Sequence, residues 1–412
     1  MEELLNGTCG ELPFGNATNT VLPQLELALS QNGCLCEAVK NLSSFEWLEC
    51  EMRPRFHEII IYIYAILFNI VIFSSVIGNS IVIWIVLCHE RMRTVTNYYL
   101  LNLAIADASI SILNTGFTWS YLVHYTWTWP TFYCSINNFM GIAPICASVF
   151  TMIVMSIDRY WAVVHPLRKR PGRKATVAVI LIIWLVSCIV SLPAWLATHL
   201  QTYYHFDETD GRIHTQVICL ADNFPDGFAH ESLLNDIYSH MLTVIQYIVP
   251  LTVLSFTYWK VGGVLRKKES VGEVRHYKNI AAKKKASKML ALVVAIFMFV
   301  WLPYHCFFLL SGFLTTIDFL TGQFLFLNVY LFGMSSSIFN PIIYYFMNKR
   351  FRTGFKYVFR WLPFVNLEPF EYDSQLGGRG CPRGRGASFA PSYNSASHTH
   401  TLTQSLMPPS HF

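Results

Sequence analysis

Seven long apolar runs divide this chain, and no other feature restricts its fold as strongly. They cover approximately 59–87, 98–123, 131–163, 176–198, 238–264, 287–313 and 323–347. About 20 apolar residues rising 1.5 Å each cross the roughly 30 Å of hydrocarbon in a bilayer. Lipid offers a bare peptide group no hydrogen-bond partner, so each run is predicted to be helical. No alternating ten-residue pattern points to a barrel. Of the 412 residues, 53% are hydrophobic and only 13% charged, against about 25% charged in soluble domains. The predicted class is an all-α membrane protein, a seven-transmembrane helix bundle.

Charge sets the expected orientation. Arg91 and Arg93 follow the first run, Arg168 to Lys174 follow the third, and Arg266 to Lys285 follow the fifth, whereas the alternate connections hold only Arg212. The positive-inside bias then places the N-terminus outside and the C-terminus inside. Asn6, Asn16 and Asn41 each begin an N-x-S/T sequon in the N-terminal tail, as an extracellular tail would carry. The first thirty residues are polar and acidic, so no cleavable signal peptide is expected. From Lys349 to Leu362, Phe351, Phe355, Val358 and Phe359 alternate with Arg350, Arg352, Lys356 and Arg360, the pattern of a short amphipathic eighth helix lying on membrane lipid. The expected organisation is an extracellular tail at 1–57, a bundle at 58–348, the amphipathic helix at 349–362 and a disordered cytoplasmic tail at 363–412. Basic residues confined to short loops give no indication of nucleic acid.

Polar groups inside the spans need a reason, because a charge near the bilayer centre costs about 2.5–3.5 kcal/mol on insertion scales. Asp107 lies mid-span, and Asn79, Ser148 and Asn340 are placed to surround it. Asp107, Ser148 and Asn340 read either as a hydrated pocket for Na+ or a proton, or as a structural hydrogen-bond knot; no resident cofactor is expected beyond such an ion. Asp158-Arg159-Tyr160 closes the third run, where acid and base neutralise each other at an interface. Pro193, Pro250, Pro303 and Pro341 interrupt the last four spans, each removing a helix hydrogen bond. Trp301-Leu-Pro303-Tyr-His305 sets a bulky ring, a hinge and an imidazole within two turns. Cys134 opens the third run and Cys219 lies in the second outer loop; they are either two free thiols or a bridge pinning that loop over the bundle mouth. Cys88, Cys146, Cys188, Cys306 and Cys381 read as free thiols.

Gly78-Asn79, Leu103-Ala-x-x-Asp107, Cys134, Asp158-Arg159-Tyr160, Trp184, Pro250, Trp301-x-Pro303 and Asn340-Pro341-x-x-Tyr344 fall in order, with at least one motif in each span. As a set they resemble the rhodopsin family of G-protein-coupled receptors across roughly residues 60–360. Within it the chain is most similar to tachykinin receptors, particularly invertebrate ones, through Trp301–Leu310, Met334–Ser336, Asn137–Phe139 and Asn348–Arg352. The resemblance implies a plasma-membrane receptor for an amidated peptide, held by Asn114, Asn137, Asn138, His305 and Phe308, with His240 standing one place beyond the family's span-five His position. It implies an activation switch at Trp301, Phe297, Val149, Pro250 and Pro303, with Asp158, Arg159, Tyr160, Tyr258, Asn340, Pro341 and Tyr344 at or toward the inner end. It also implies a heterotrimeric G-protein partner, of the Gq class that releases calcium. Ser388 to Thr403 in the tail would serve a receptor kinase and arrestin. Many members hold the inner Arg with a second acid at the foot of span six, where Lys283 stands here, and the usual acylated Cys after the eighth helix is missing from Arg360-Trp-Leu-Pro363.

Asn114 and Asn138 equally read as ties between spans two and three, since interhelical amides do this in lipid, and His305 as a packed core imidazole. Competing readings are a neuropeptide Y-like or RFamide-like receptor and, from another class, a transporter or channel. The latter would show paired helix breaks in its two halves, which the sequence lacks. An enzyme is not expected, because neither His-Glu-x-x-His nor a nucleophile motif occurs.

Overall fold

The computed structural model describes residues 48–49, 56–165, 171–207, 212–228, 232–269, 274–310 and 317–377. A short strand β1 (Leu48–Glu49) precedes helices α1 (Glu58–Cys88), α2 (Val95–His124), α3 (Thr131–Val164) and α4 (Arg173–Leu196). Strands β2 (Thr198–Asp207), β3 (Arg212–Ala221), β4 (Asn223–Phe224) and β5 (Gly227–Phe228) follow. Then come α5 (Leu233–Val264), α6 (Val274–Leu310), α7 (Phe319–Met347), α8 (Lys349–Val358) and α9 (Pro369–Gln375). Seven of these helices are long and apolar enough to cross a membrane.

The helices begin where side chains can satisfy their free N–H groups. Thr94 accepts from Asn97 N–H at 3.3 Å, Ser232 from Asn235 at 3.0 Å, Asp318 from Thr321 at 3.0 Å and Asn348 from Arg350 at 3.1 Å. Tyr125, in the left-handed region at φ 50°, ends α2. Once formed, the rods sort their faces for lipid. On α1, Ile59, Ile63, Ile66, Ile70, Phe73 and Ile77 are exposed at helical spacing, while Phe68, Val71, Ser75, Asn79 and Val82 are buried opposite. Apolar outside and polar inside is the arrangement that a hydrocarbon solvent selects. Helix α3 sits at the centre, packed on α2, α4 and α5, while α7 closes the ring against α1 and α6.

Two wide turns change the helix phase. One, Val244–Ile248, immediately precedes Pro250 and gives room to a ring that would clash with the preceding turn. The other, Ser111–Thr115, has no proline near it; Thr115 Oγ1 donates back to Ile110 O at 3.2 Å. Pro144 also lies inside α3, an interruption that the sequence reading did not single out. In α7, Ser335 and Ser337 donate to Phe332 O at 2.6 Å and Met334 O at 2.8 Å, competing with the backbone where the helix breaks.

Three features depart from the sequence reading. First, the connection after α4 is a β-hairpin: β2 and β3 pair antiparallel from Thr198↔Ala221 to Asp207↔Arg212, and β1 adds to β2 in parallel. A disulfide joins Cys134 to Cys219, tying β3 to the first turn of α3. Second, the tail does not lose regular structure at 363. After α8 the chain turns back and α9 docks on the α1–α2 connection. Tyr357 stacks on Tyr372 at 4.3 Å, Leu376 is fully buried, and Arg91 donates to the carbonyls of Asp373 and Ser374 at 3.2 and 3.0 Å, capping the end of α9. His89 Nδ1 faces Ile85 O at 3.0 Å and so carries the proton, leaving Nε2 to accept from Tyr372 O–H at 2.8 Å. Third, Cys88 is disulfide-bonded rather than a free thiol, while Cys146, Cys188 and Cys306 are free. The sequons Asn6, Asn16 and Asn41, together with Cys381 and the Ser388–Thr403 cluster, lie outside the described residues.

Candidate functional site

Beneath the hairpin, polar side chains from three helices, two amides among them, form one buried knot. Asn114 on α2 donates to Asn137 O at 2.9 Å and Thr118 Oγ1 at 3.1 Å, and its Oδ1 accepts from Tyr330 O–H on α7 at 2.9 Å. Asn137 on α3 donates to Thr118 Oγ1 at 3.0 Å. Gly141 permits this approach, since a Cβ there would stand 3.1 Å from Asn114 Nδ2. Asn114 and Asn137 are both 4% exposed, so their polar atoms face each other. The neighbouring Asn138 is half-buried and donates to Thr198 Oγ1 at 3.0 Å, which connects α3 to the start of β2 beside the disulfide.

An aromatic wall continues from the knot. Tyr330 meets Phe326 at 6.1 Å, Phe326 meets Phe308 at 5.8 Å, and Phe308 meets Tyr304 at 4.9 Å. Tyr304 contacts His305 at 5.6 Å, and His305 lies 4.9 Å from Tyr247. His305 is buried, while Phe308 is exposed at the wall's edge. His240 does not join this group. It lies on the outward face of α5 with the exposed Ile237, Met241 and Val244, its Nδ1 2.7 Å from Asp236 O. Ser239 is half-buried and shares the inward side of α5 with the buried Thr243, Gln246 and Tyr247. Gln246 donates to Cys146 Sγ at 3.4 Å. Sequence reading missed Tyr330, Phe326, Tyr247 and Gln246. The aromatics look like core in any apolar span, but Gln246, a buried amide in lipid, was a usable signal.

Directly below, Trp301 stands 6.2 Å from His305 and 5.7 Å from Phe297. Its indole N–H donates to Ser336 Oγ at 3.1 Å, across the break in α7. Pro303 lies inside α6, one helical step above this ring. Next, Asn340 Nδ2 donates to Asp107 Oδ2 at 2.7 Å. Asn79 reaches Ser75 O and Ser337 O at 2.9 and 3.0 Å, and Ser111 reaches Ser75 Oγ at 2.7 Å, so α1, α2 and α7 are cross-linked at one level. Asp107, Ser148, Phe297 and Asn340 line a cavity of about 10 Å³, the size of a single water. The Asp107 carboxylate and the Ser148 hydroxyl are hard oxygen donors that suit a small cation; Asn340 turns its nitrogen toward Asp107.

At the tail end of α3, Arg159 Nη2 lies 3.4 Å from Asp158 Oδ2 and also donates to Thr96 Oγ1 on α2. The Lys283 side chain is outside the described residues, and Thr96 supplies a second hold on Arg159. Tyr160 packs against Val163 and Val261, and Tyr258 packs on the main core. Tyr344 is fully buried 5.4 Å from Phe351, and its hydroxyl has no hydrogen-bond partner among the described residues. Pro341 touches the space above Gly78, where a Cβ would stand only 3.0 Å from its ring.

Comparison with known proteins agrees with this geometry. The profile described as "7 transmembrane receptor (rhodopsin family)" matches residues 78–344. The chain is 38% identical to the tachykinin-like peptides receptor 99D of Drosophila melanogaster over 325 residues, 77% of this chain and 61% of that relative. It is 37% identical to the substance-P receptor of Homo sapiens over 316 residues, 76% of this chain and 74% of that one. It is 38% identical to the probable G-protein coupled receptor tkr-1 of Caenorhabditis elegans over 317 residues, again 76% and 74%.

Proposed function

The chain belongs to the rhodopsin family of seven-transmembrane receptors, and from that premise we propose that it is a plasma-membrane receptor for a tachykinin-like amidated neuropeptide. The observation that carries this reading is the run from Asn138 and the amide knot through the aromatic wall to His305, which ends 6.2 Å from Trp301. A peptide terminus bound beside His305 thereby acts on the ring at the hinge. Relatives named for tachykinin-like peptides and substance P supply the ligand class. In this reading the hairpin end faces outward and the tail end faces the cytosol.

Binding shifts the equilibrium only by what the ligand gains in one state over the other. A peptide amide offers two donors and an acceptor to Asn138 and His305, in a site where an unmatched polar group is costly. Displacement of His305 or Tyr304 moves Trp301, which must then release Ser336 across the α7 break. Helix α6 swings about Pro303, and Arg159 leaves Asp158 and Thr96 to meet a heterotrimeric G protein of the Gq class. Tyr258, Tyr160 and Tyr344 line the cleft that opens, and Pro250 with its wide turn lets α5 follow. A Na+ ion held by the Asp107 carboxylate and the Ser148 hydroxyl would supply positive charge to that cavity and favour the packed state. The tail serves a receptor kinase and arrestin.

The test is a calcium response in cells expressing the chain, with amidated tachykinin-type peptides applied at graded concentration beside RFamide and neuropeptide Y-type peptides. Tachykinin-type peptides give the lowest half-maximal concentration, and Asn138→Ala and His305→Ala raise it. Silence to them with a response to another class removes the ligand assignment and leaves the family untouched.

A further inference from the structure

Helix α9 has 7 residues, and an isolated helix shorter than about 12 residues scarcely persists in water. It therefore exists by being docked, and the dock centres on Tyr372. That ring stacks on Tyr357 at 4.3 Å, and Tyr357 stacks in turn on Trp84 of α1 at 5.8 Å. Tyr372 O–H donates to His89 Nε2 at 2.8 Å. Arg91 caps the carbonyls of Asp373 and Ser374, and Leu376 is buried.

Tyr372 is also chemically singular in this chain. Glu371 and Asp373 flank it directly and Glu368 stands one turn before it, whereas no other tyrosine of the 412 residues has a carboxylate next to it. Its stacking partner Tyr357 follows Lys356 instead. Kinases select peptides largely by charge pattern. A phenol bracketed by acids, on a segment short enough to lift away, suits a kinase whose peptide groove is basic.

We propose that Tyr372 is a phosphorylation site for a cytosolic protein tyrosine kinase, and that the modification releases α9 from the α1–α2 connection. The γ-phosphoryl group of ATP passes to Tyr372 Oη as its bond to the β-phosphate oxygen breaks. ADP leaves, and the phenolic proton goes to the kinase's base.

The docked state does not accommodate the product. His89 is 5% exposed and its Nδ1–H faces Ile85 O at 3.0 Å, so Nε2 is an acceptor. Phosphorylation removes the O–H that Nε2 accepts and sets acceptor oxygens, with a charge of about −1.5 to −2, in its place. Burial opposes the protonation of His89 that would turn Nε2 into a donor. Glu368, Glu371 and Asp373 add like charge. The surrounding guanidinium groups are directed elsewhere: Arg93 at Leu87 O, Arg350 at Arg91 O, and Arg360 over the Tyr357 ring. Turning Arg91 to the phosphate would uncap α9 itself.

The test uses full-length receptor from cells treated with vanadate, which blocks tyrosine phosphatases. Mass spectrometry reads the tail peptides, and hydrogen exchange reads the amides. Tyr372 carries phosphate and Tyr357 does not, and amides of 369–376 lose about tenfold in protection relative to the dephosphorylated receptor. His89→Asn loosens the dock and raises the phosphorylated fraction, while Tyr372→Phe removes phosphate from that peptide. Tyr372 left unmodified in both the parent and His89→Asn, or phosphate on Tyr357 instead, overturns the assignment. Phosphate on Tyr372 with unchanged protection of 369–376 overturns the release. Kinase access requires the cytosolic placement of the tail end proposed above, but the identity of the peptide plays no part. The calcium response to peptide is measured separately, so the two readings fail separately.

Discussion

Replacing Asn114 by alanine separates a structural tie from a ligand contact. The substitution removes bonds from Asn114 to Asn137 O at 2.9 Å and to Thr118 at 3.1 Å, and the bond from Tyr330 O–H at 2.9 Å. Thr118 and the Asn137 side chain keep each other at 3.0 Å, and Asn137 O keeps its helical donor inside α3, so one group loses its main partner: the Tyr330 hydroxyl. An interhelical hydrogen bond in lipid contributes about 0.6 kcal/mol on average and up to about 2. A buried group left without a partner costs about 1–3 kcal/mol. Partial relaxation of Tyr330 toward its neighbouring hydroxyls lowers the sum, so the expected loss is roughly 1–3 kcal/mol. Asn138→Ala loses a half-buried bond whose partner Thr198 still donates to Ala194 O at 2.6 Å, which amounts to less than about 1 kcal/mol. Thermal unfolding of the purified, ligand-free receptor reads the first quantity, and the half-maximal peptide concentration, corrected for surface expression, reads the second. Asn114→Ala lowers the unfolding midpoint well below that of Asn138→Ala, whereas Asn138→Ala shifts peptide potency further. An Asn114→Ala receptor with an unchanged midpoint and lost potency would refute the knot and make Asn114 a ligand contact.

Three further outcomes follow from the geometry. Cys134→Ser frees β3 from α3 and lowers peptide affinity at least tenfold, measured by radioligand competition on intact cells; unchanged affinity would mean that the hairpin does not shape the site. Asp107→Asn abolishes any reduction of agonist affinity by NaCl relative to choline chloride; an equal sodium effect in the variant removes Asp107 as the ion's ligand. Burial holds the His89 imidazole below its ordinary value of 6.5, so the docked state binds fewer protons than the released one. The contribution of this contact is complete above 6.5 and is lost as pH falls from there through the lowered native value. Amides of residues 369–376 accordingly exchange faster at acidic pH, relative to intrinsic rates, and His89→Asn flattens that dependence; a pH-independent protection factor in the parent would exclude His89 from the latch.

Much of the site's inventory was legible from single residues. Asp107, Trp301, Pro303 and Asn340 stand out because lipid penalises charge and broken helices, so each such residue needs a compensating neighbour. What those neighbours are was not legible. Helix phase decided that Ser239 turns inward and His240 outward, and a wide turn at Val244–Ile248 lies between them and Pro250. Nothing in Ser111–Thr115 marks the other wide turn, because its stabilisation comes from the packed bundle and not from local propensity. The hairpin after α4 did carry a signal that the sequence reading passed over: Asp210-Gly211 stands between two runs rich in Thr, Tyr, Val and Ile.

Span number and approximate span positions were determined by the sequence itself, because matching an apolar run to a hydrocarbon slab is a property of consecutive residues. Partnership was decided only in three dimensions. Asn114 finds Tyr330 across 216 positions and His89 finds Tyr372 across 283, and no local rule of composition or period reaches so far. In lipid, where apolar contact scarcely distinguishes one helix from another, such distant polar pairs set how the rods face each other. The site therefore exists only once the bundle has closed.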